Sequence, residues 1–418
     1  GGRAGERATR SCLARFLMIV DFEGMERMGM MRWSGLAFVL LVGACADEAA
    51  WQVGAAKVAI TPDRPVWLAG YSRDSKSDGV HDDIWARAMA IDNGSATVLI
   101  LAVDLIGLMR PDVNDIRRDL TTEQLPFDHI IVASTHNHSG PDVIGLWHVD
   151  RGKSGVDFVY LDTVKARMVR VGKAALADLK PAALLVSRNE VLGISYNARD
   201  EGVLDVEAVL LRAQGEDGRT IGTLVNFACH PEVLTKQNRR LTSDFAHYTY
   251  GRLEERLGGV ALYVNGALGG MVTPLVTAHS FREAARCGHA LADSVLSGVK
   301  REKLIRDGRL MSVREDISLA MDNPAFRALA EAGVIHRAFE DSIDTEVGAL
   351  RIGPVLVATV PGEALPVIGF TLKGAMVSDY RMVFGLANDE LGYLIPSVDW
   401  REDEYEETMS LGKTAGDV

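Results

Sequence analysis

The sequence holds only four cysteines in 418 residues, Cys12, Cys45, Cys229 and Cys287, and none of them stand in a Cys-x-x-Cys pair. That spacing suggests neither a zinc ribbon nor a disulfide framework. No Gly-x-Ser-x-Gly elbow occurs, which removes the usual anchor of serine catalysis on an α/β sheet. Basic charge is in deficit: 45 Lys and Arg face 57 Asp and Glu, for a formal net charge of -12 and a pI near 5.4. An acidic chain of this kind argues against nucleic acid as a partner and against electrostatic docking on anionic lipid. Internal repeats, low-complexity tracts and Pro- or Ser-rich linkers are all missing, so nothing marks an internal domain boundary and a single large domain is the default.

What is present is an ordinary globular balance, with 47% hydrophobic residues to supply a core. Near the N-terminus, residues 34–43 form a short apolar run behind Arg27 and Arg32. It falls short of the roughly 20 residues that a membrane span needs and has the layout of an export signal. The run ends Val42-Gly43-Ala44-Cys45, which is similar to a bacterial lipoprotein processing site. The expectation is a pre-signal extension and lipoprotein signal peptide over residues 1–45, a mature domain over 46–418, and an acyl anchor on Cys45 that tethers an exported protein to a membrane. By resemblance to enterobacterial lipoprotein sorting, Ala46 after the cysteine implies the outer membrane, facing the periplasm. An ordinary cleaved signal is the alternative.

The mature chain reads as α/β with a mixed sheet and helices packed on it. Residues 98–105 and 129–135 are apolar runs of buried-strand type on either side of a helical stretch at 111–120, which makes a βαβ unit. Residues 159–179 read as an amphipathic helix that Pro181 stops. Residues 206–212 and 220–228 read as paired strands joined by the turn Gly215-Glu216-Asp217-Gly218. Further helices are expected at 245–257 and 279–299. Further strands are expected at 260–264, 310–320, 348–360 (broken at Gly353-Pro354) and 382–386.

Chemistry-bearing residues gather at strand ends. The segment Ser134-Thr135-His136-Asn137-His138-Ser139-Gly140-Pro141 follows a buried strand. In extended backbone His136 and His138 face one side, at the sheet edge where α/β proteins bind ligands. A second strand ends Cys229-His230-Pro231, a third ends Pro361-Gly362-Glu363, and a polar loop runs from Asn388 to Tyr393. Imidazole nitrogen with oxygen ligands in this mixture suits one zinc ion. Cys229 should point away from His230, into the core. Asp244 is read as a site residue or a helix N-cap.

Together these segments resemble the neutral ceramidase family, specifically its N-terminal catalytic domain. The resemblance also takes in Ala56-Lys57-Val58-Ala59-Ile60-Thr61-Pro62, Leu68-Ala69-Gly70-Tyr71, Gly79-Val80-His81-Asp82, Ser243-Asp244, and the stretch from Gly385 to Tyr405-Glu406. It implies zinc held by His136, His230, Glu363 and Tyr393, with Tyr405 the rival for the fourth place, and His138 as a proton carrier. It implies hydrolysis of an N-acyl lipid or a related amide by a zinc-activated water. Two departures stand out. The expectation is a catalytic domain without the immunoglobulin-like domain of full-length members. The family's Gly-Asp-x-Ser-Pro loop here reads Gly269-Gly270-Met271-Val272-Thr273-Pro274: the aspartate is absent, and the position of the active-site serine is either shifted or taken by Thr273. The amides of residues 265–273 and the residues Thr273 and Asp244 are therefore expected to assist catalysis. The alternatives are a metal-free hydrolase using Ser139 or Thr273, and an inactive lipoprotein that binds a lipid or glycan through an inherited metal site.

Overall fold

The computed structural model describes residues 51–71 and 73–418. The signal at 34–43 and the anchor at Cys45 lie outside the described residues. A large sheet carries helices on one face and a smaller sheet on the other, and the helix Pro366–Ala375 packs on the outer face of the smaller sheet. The large sheet has the spatial order β8-β7-β6-β5-β1-β2-β3-β4, from β1 (Trp51–Ala59), β2 (Trp85–Asp92), β3 (Thr97–Val103), β4 (Ile130–Ser134), β5 (Lys180–Glu190), β6 (Glu207–Gly215), β7 (Thr220–Phe227) and β8 (Val260–Asn265). Its inner pairs are antiparallel, and the outermost pairs, β3 with β4 and β7 with β8, are parallel. The smaller sheet comprises β9 (Leu310–Ala320), β10 (Ser342–Ile352), β11 (Val355–Thr359) and β12 (Tyr380–Phe384), parallel only between β11 and β12.

Strand alternation sends successive side chains to opposite faces, and each face here has its own core. Met89, Ile91, Val98, Ile100, Leu224 and Leu262 meet Leu350, Ile352, Val357 and Phe384 of the smaller sheet. Ala86, Ala88, Ala90, Leu99 and Leu101 face the other way, onto α1 (Arg110–Leu120) and α2 (Phe158–Ala177). The rest of that face is covered by α3 (Phe245–Leu257) and α4 (Phe281–Gly298). Asn226 ties the layers together: its side-chain amide donates to Val264, Asn265 and Val383 carbonyls, and its oxygen accepts from Val383 N–H. Both described cysteines, Cys229 and Cys287, are buried free thiols in the α3–α4 core.

Most expected elements are present within one to three residues, and Phe245–Leu257 and Leu310–Ala320 match residue for residue. Of the twelve strands named above, three were not expected: β1, β2 and β5. The first two are rich in alanine, which has little strand propensity; their small side chains let α2 lie close to the sheet. Pro181 does not stop α2. That helix ends at Ala177, capped by Asp178, whose N–H bonds back to Ala174 and Ala175. Pro181 belongs to the first residues of β5, opposite Gln52, where its missing N–H costs little. The helix expected at 279–299 begins at Phe281 because the Ser280 side chain accepts from Glu283 N–H.

Candidate metal centre

The His-x-His segment leaves β4 through a kink. His136 has φ 64, so the pair does not share a face by extended-strand alternation. The left-handed turn still brings the two rings together, with centroids 4.8 Å apart. The kink is fastened underneath. Asn137 N–H donates to Leu105 O at 3.1 Å, and Asn265 Nδ2 donates to Thr135 O at 2.7 Å. Asp104, fully buried, accepts from Ser243 Oγ at 2.7 Å, Tyr250 Oη at 2.8 Å and Thr135 Oγ1 at 3.4 Å. A non-glycine residue held at positive φ costs on the order of 1 kcal/mol or more, and this network holds it there.

His230 arrives from the end of β7, and its ring lies 4.9 Å from His136 and 5.6 Å from His138. Potential ligand atoms of the three histidines all fall within 4.8 Å of one another. Glu363 closes the group. Its Oε2 lies 3.2 Å from His230 Nε2 and 3.3 Å from His136 Nε2. The far ring nitrogens are fixed: His136 Nδ1 meets Ile106 O at 2.6 Å and His230 Nδ1 meets Val272 O at 2.8 Å. These backbone bonds aim both Nε2 atoms at the carboxylate, the outer-shell arrangement typical of metal-binding histidines. Ligand atoms around a tetrahedral zinc at about 2.0–2.1 Å lie roughly 3.3 Å apart, so the observed spacings fit that ion.

The electrostatics follow from burial. Desolvation opposes the Glu363 charge, but the charges and hydrogen bonds of His136 and His230 hold its carboxyl well below the usual carboxylate range. Burial also works against protonated His230, yet the Glu363 hydrogen bond and nearby carboxylates raise its pKa above the ordinary value. His138 differs. Burial, then the neighbouring His136 and His230, push it well below the normal histidine range. Neither ring nitrogen of His138 has a hydrogen-bond partner among the described residues.

Glu363 and Ala364 pair in parallel with Tyr393 and Leu394. Tyr393 is buried, with Oη 3.1 Å from Met271 Sδ. Burial, then the Glu363 charge, push its phenol well above the ordinary range. Tyr405 packs against it at 6.0 Å between ring centroids and is 55% exposed. His136, His138, Glu363, Tyr393 and Tyr405 line one cavity, whose other walls include Ile106, Met109, Leu146, Trp147, Phe326 and Phe339.

Two expected catalytic residues lie outside this lining. Asp244 is the N-cap of α3: its oxygens accept from Phe245 N–H at 2.6 Å and Leu234 N–H at 3.3 Å. Thr273 sits on a short strand opposite Tyr196, next to the Val272 carbonyl that orients His230. Of the amides of residues 265–273, those of Gly266, Gly269 and Val272 are taken up by the Phe227, Ala364 and Leu268 carbonyls, and residues 265–273 are not part of this cavity's lining. Ser139 Oγ is taken up by Asn238 Nδ2 at 3.1 Å.

Sequence reasoning missed Glu232 and Glu390. Glu232 Oε2 accepts from Tyr71 Oη at 2.5 Å and lies 3.6 Å from His138 Nδ1. Gly70, at φ 103, makes the space: a Cβ there would sit 2.4 Å from His138 Nδ1. Glu390 lines the cavity beside Glu363. The available signal was position alone: an acidic residue inside each motif, two residues after His230 and three before Tyr393.

Residues 51–268 match the family model described as "Neutral/alkaline non-lysosomal ceramidase, N-terminal". The chain is 24% identical over 216 residues to a neutral ceramidase of Mycobacterium tuberculosis (strain ATCC 25618 / H37Rv). That stretch is 46% of this chain and 34% of the relative, so the match spans about a third of that curated protein's length. A crystal structure of neutral ceramidase from Pseudomonas aeruginosa superposes with TM-score 0.74 at 17% identity, covering 88% of this chain and 73% of that one. A structure titled as ceramidase complexed with C2 gives TM-score 0.74 at 17% identity, covering 87% and 73%. At that identity the structural likeness speaks for the fold.

Proposed function

This chain belongs to the neutral/alkaline non-lysosomal ceramidase family, and on that premise we propose that it is a zinc-dependent hydrolase of amide bonds acting on an N-acyl lipid or a related amide. One observation carries the reading: the Glu363 carboxylate meets both His136 Nε2 and His230 Nε2 at 3.2–3.3 Å on the wall of a mainly apolar cavity. His136, His230 and Glu363 would hold the ion, with Tyr393 as fourth ligand. Zinc in such a site supplies Lewis acidity and lowers the pKa of water.

The chain's own groups do the rest. The apolar walls formed by Met109, Leu146, Trp147, Phe326 and Phe339 take up hydrocarbon and exclude bulk water. His138, kept neutral by burial and without a hydrogen-bond partner among the described residues, is free to take up a proton and deliver it to the leaving nitrogen. Glu232, itself held by Tyr71, stands behind His138 Nδ1 and orients the ring for that transfer. Thr273 and Asp244 then support the site from behind, through the strand that holds His230 and through the cap of α3. The proposal includes export and tethering through Cys45, which would bring the cavity to lipid substrates; it rests on the sequence of residues 34–45.

The test is elemental analysis of protein lacking residues 1–45, followed by a panel of N-acyl amides. About one zinc per chain with cleavage of an amide supports the reading. Zinc retained without turnover on any amide would leave a lipid- or glycan-binding protein instead. Turnover undiminished after complete removal of metal would return the reaction to a serine or threonine nucleophile.

A further inference from the structure

The loop between β8 and Pro274 touches three of the four residues assigned to the ion. Val272 O meets His230 Nδ1 at 2.8 Å and accepts from the His230 backbone N–H at 2.9 Å. Gly269 N–H donates to Ala364 O at 2.8 Å, and a Cβ on residue 269 would lie 2.3 Å from the Glu363 carbonyl oxygen. Met271 Sδ lies 3.1 Å from Tyr393 Oη. On its outer side the loop is fastened by Ala198 N–H to Met271 O at 3.1 Å and Arg199 N–H to Gly270 O at 3.2 Å. Met271 is the strained member. Its φ is 55, next to Gly270 at 69, in the left-handed region where glycine is the default residue. Such strain persists only where the surroundings over-determine it, and it is a pointer to function.

What methionine adds over glycine at this position is a side chain, and that side chain ends on Tyr393. The tyrosine is 3% exposed, and a buried phenol needs a hydrogen-bond partner. Glu363 acts on the same phenol, but its carboxylate is engaged by His136 and His230. The thioether packs with the Tyr393 ring in a small cluster that includes Leu365 and Ile395. Met271 is not part of the cavity lining, so its influence on the centre runs through Tyr393. We propose that Met271 is a positioning residue for the metal centre: its sulfur accepts the Tyr393 hydroxyl and sets the ring so that Oη faces the ion. This rests on the hydrolase reading above. A thioether suits the task because it is a weak, uncharged acceptor. It steers the hydroxyl without competing for it as a carboxylate would, and its polarizable sulfur also packs well against an aromatic ring.

The experiment is a double-mutant cycle on zinc affinity, read by competition with a chromophoric chelator in wild type, Met271→Leu, Tyr393→Phe and the double variant. Met271→Leu keeps the bulk and the backbone strain and removes the acceptor. It is expected to weaken zinc about tenfold, the usual lower range for a residue that orients a ligand. Met271→Gln, which restores an acceptor at a similar reach, should recover part of the loss. Adding Met271→Leu to Tyr393→Phe should cost nothing further, because the hydroxyl it steers is already gone. Unchanged affinity in Met271→Leu, or a loss that persists undiminished in the Tyr393→Phe background, overturns the inference. A zinc-free arm separates this from failure of the hydrolase reading. If wild type binds no zinc, that reading fails, and the same four proteins are compared by urea unfolding without metal. A non-additive shift in midpoint then supports Met271 as the partner of the Tyr393 hydroxyl; additive shifts overturn it.

Discussion

Glu363 and Tyr393 are register partners in a two-residue parallel ladder, and the Glu363 N–H bonds to the Gly392 carbonyl at 2.9 Å. This short pairing brings a carboxylate from the end of β11 and a phenol from the loop after β12 to one wall. It favours Tyr393 over Tyr405 as the fourth ligand, because Tyr393 is buried on the ladder while Tyr405 is 55% exposed on α5 (Tyr405–Thr408). Tyr393→Phe is expected to weaken zinc binding about tenfold or more and Tyr405→Phe much less. Competition with a chromophoric chelator measures both. The reverse order would make Tyr405 the ligand.

Removing a residue from the centre should remove the ion. His230→Ala and Glu363→Gln are each expected to reduce zinc from about one per chain to near zero after dialysis, with the fold preserved by circular dichroism. Retention of stoichiometric zinc in either variant would exclude that residue as a ligand.

His138 is expected to act without being needed for the metal. His138→Ala should keep its zinc and lose about 10²–10⁴ in kcat, the usual range for a proton carrier. Glu232→Gln should lose less, because it weakens the orientation of His138 and leaves its ring in place. Loss of zinc in His138→Ala would instead make this histidine a ligand, in keeping with its place in the three-histidine cluster.

Asp244 should govern stability more than turnover. Burial raises its pKa to about 7, against backbone hydrogen bonds that lower it, while an unfolded aspartate titrates near 3.9. The folded state therefore binds the extra proton between those values. Its contribution to stability is fully present below about pH 4 and is lost as pH rises through about 7. Relative to Asp244→Asn, which cannot titrate, wild type should lose on the order of a few kcal/mol between pH 4 and 8. Urea unfolding across that range is the measurement; a constant difference between the two proteins would show that Asp244 is ionised in the fold throughout.

The sequence by itself determined the class of fold and most of the chemistry. Buried strands such as β3, β4 and β7 announce themselves as apolar runs, and histidine or glutamate at their ends is visible as soon as the runs are found. The α3 cap at Asp244 was equally legible, since an aspartate before a helical stretch is a local signal. Tertiary structure decided the rest. His136 and His138 share the site through a left-handed kink held by Asp104 and Asn265, contacts too distant in sequence for periodicity to reveal. The alanine-rich strands β1 and β2 are strands because neighbours on both sides and a helix across their face stabilise them, overriding weak propensity. Glu232 and Glu390 are ordinary acidic residues in the sequence. They become part of the cavity only when folding removes them from water and places one beside His138 and the other, one oxygen unpaired, beside Glu363.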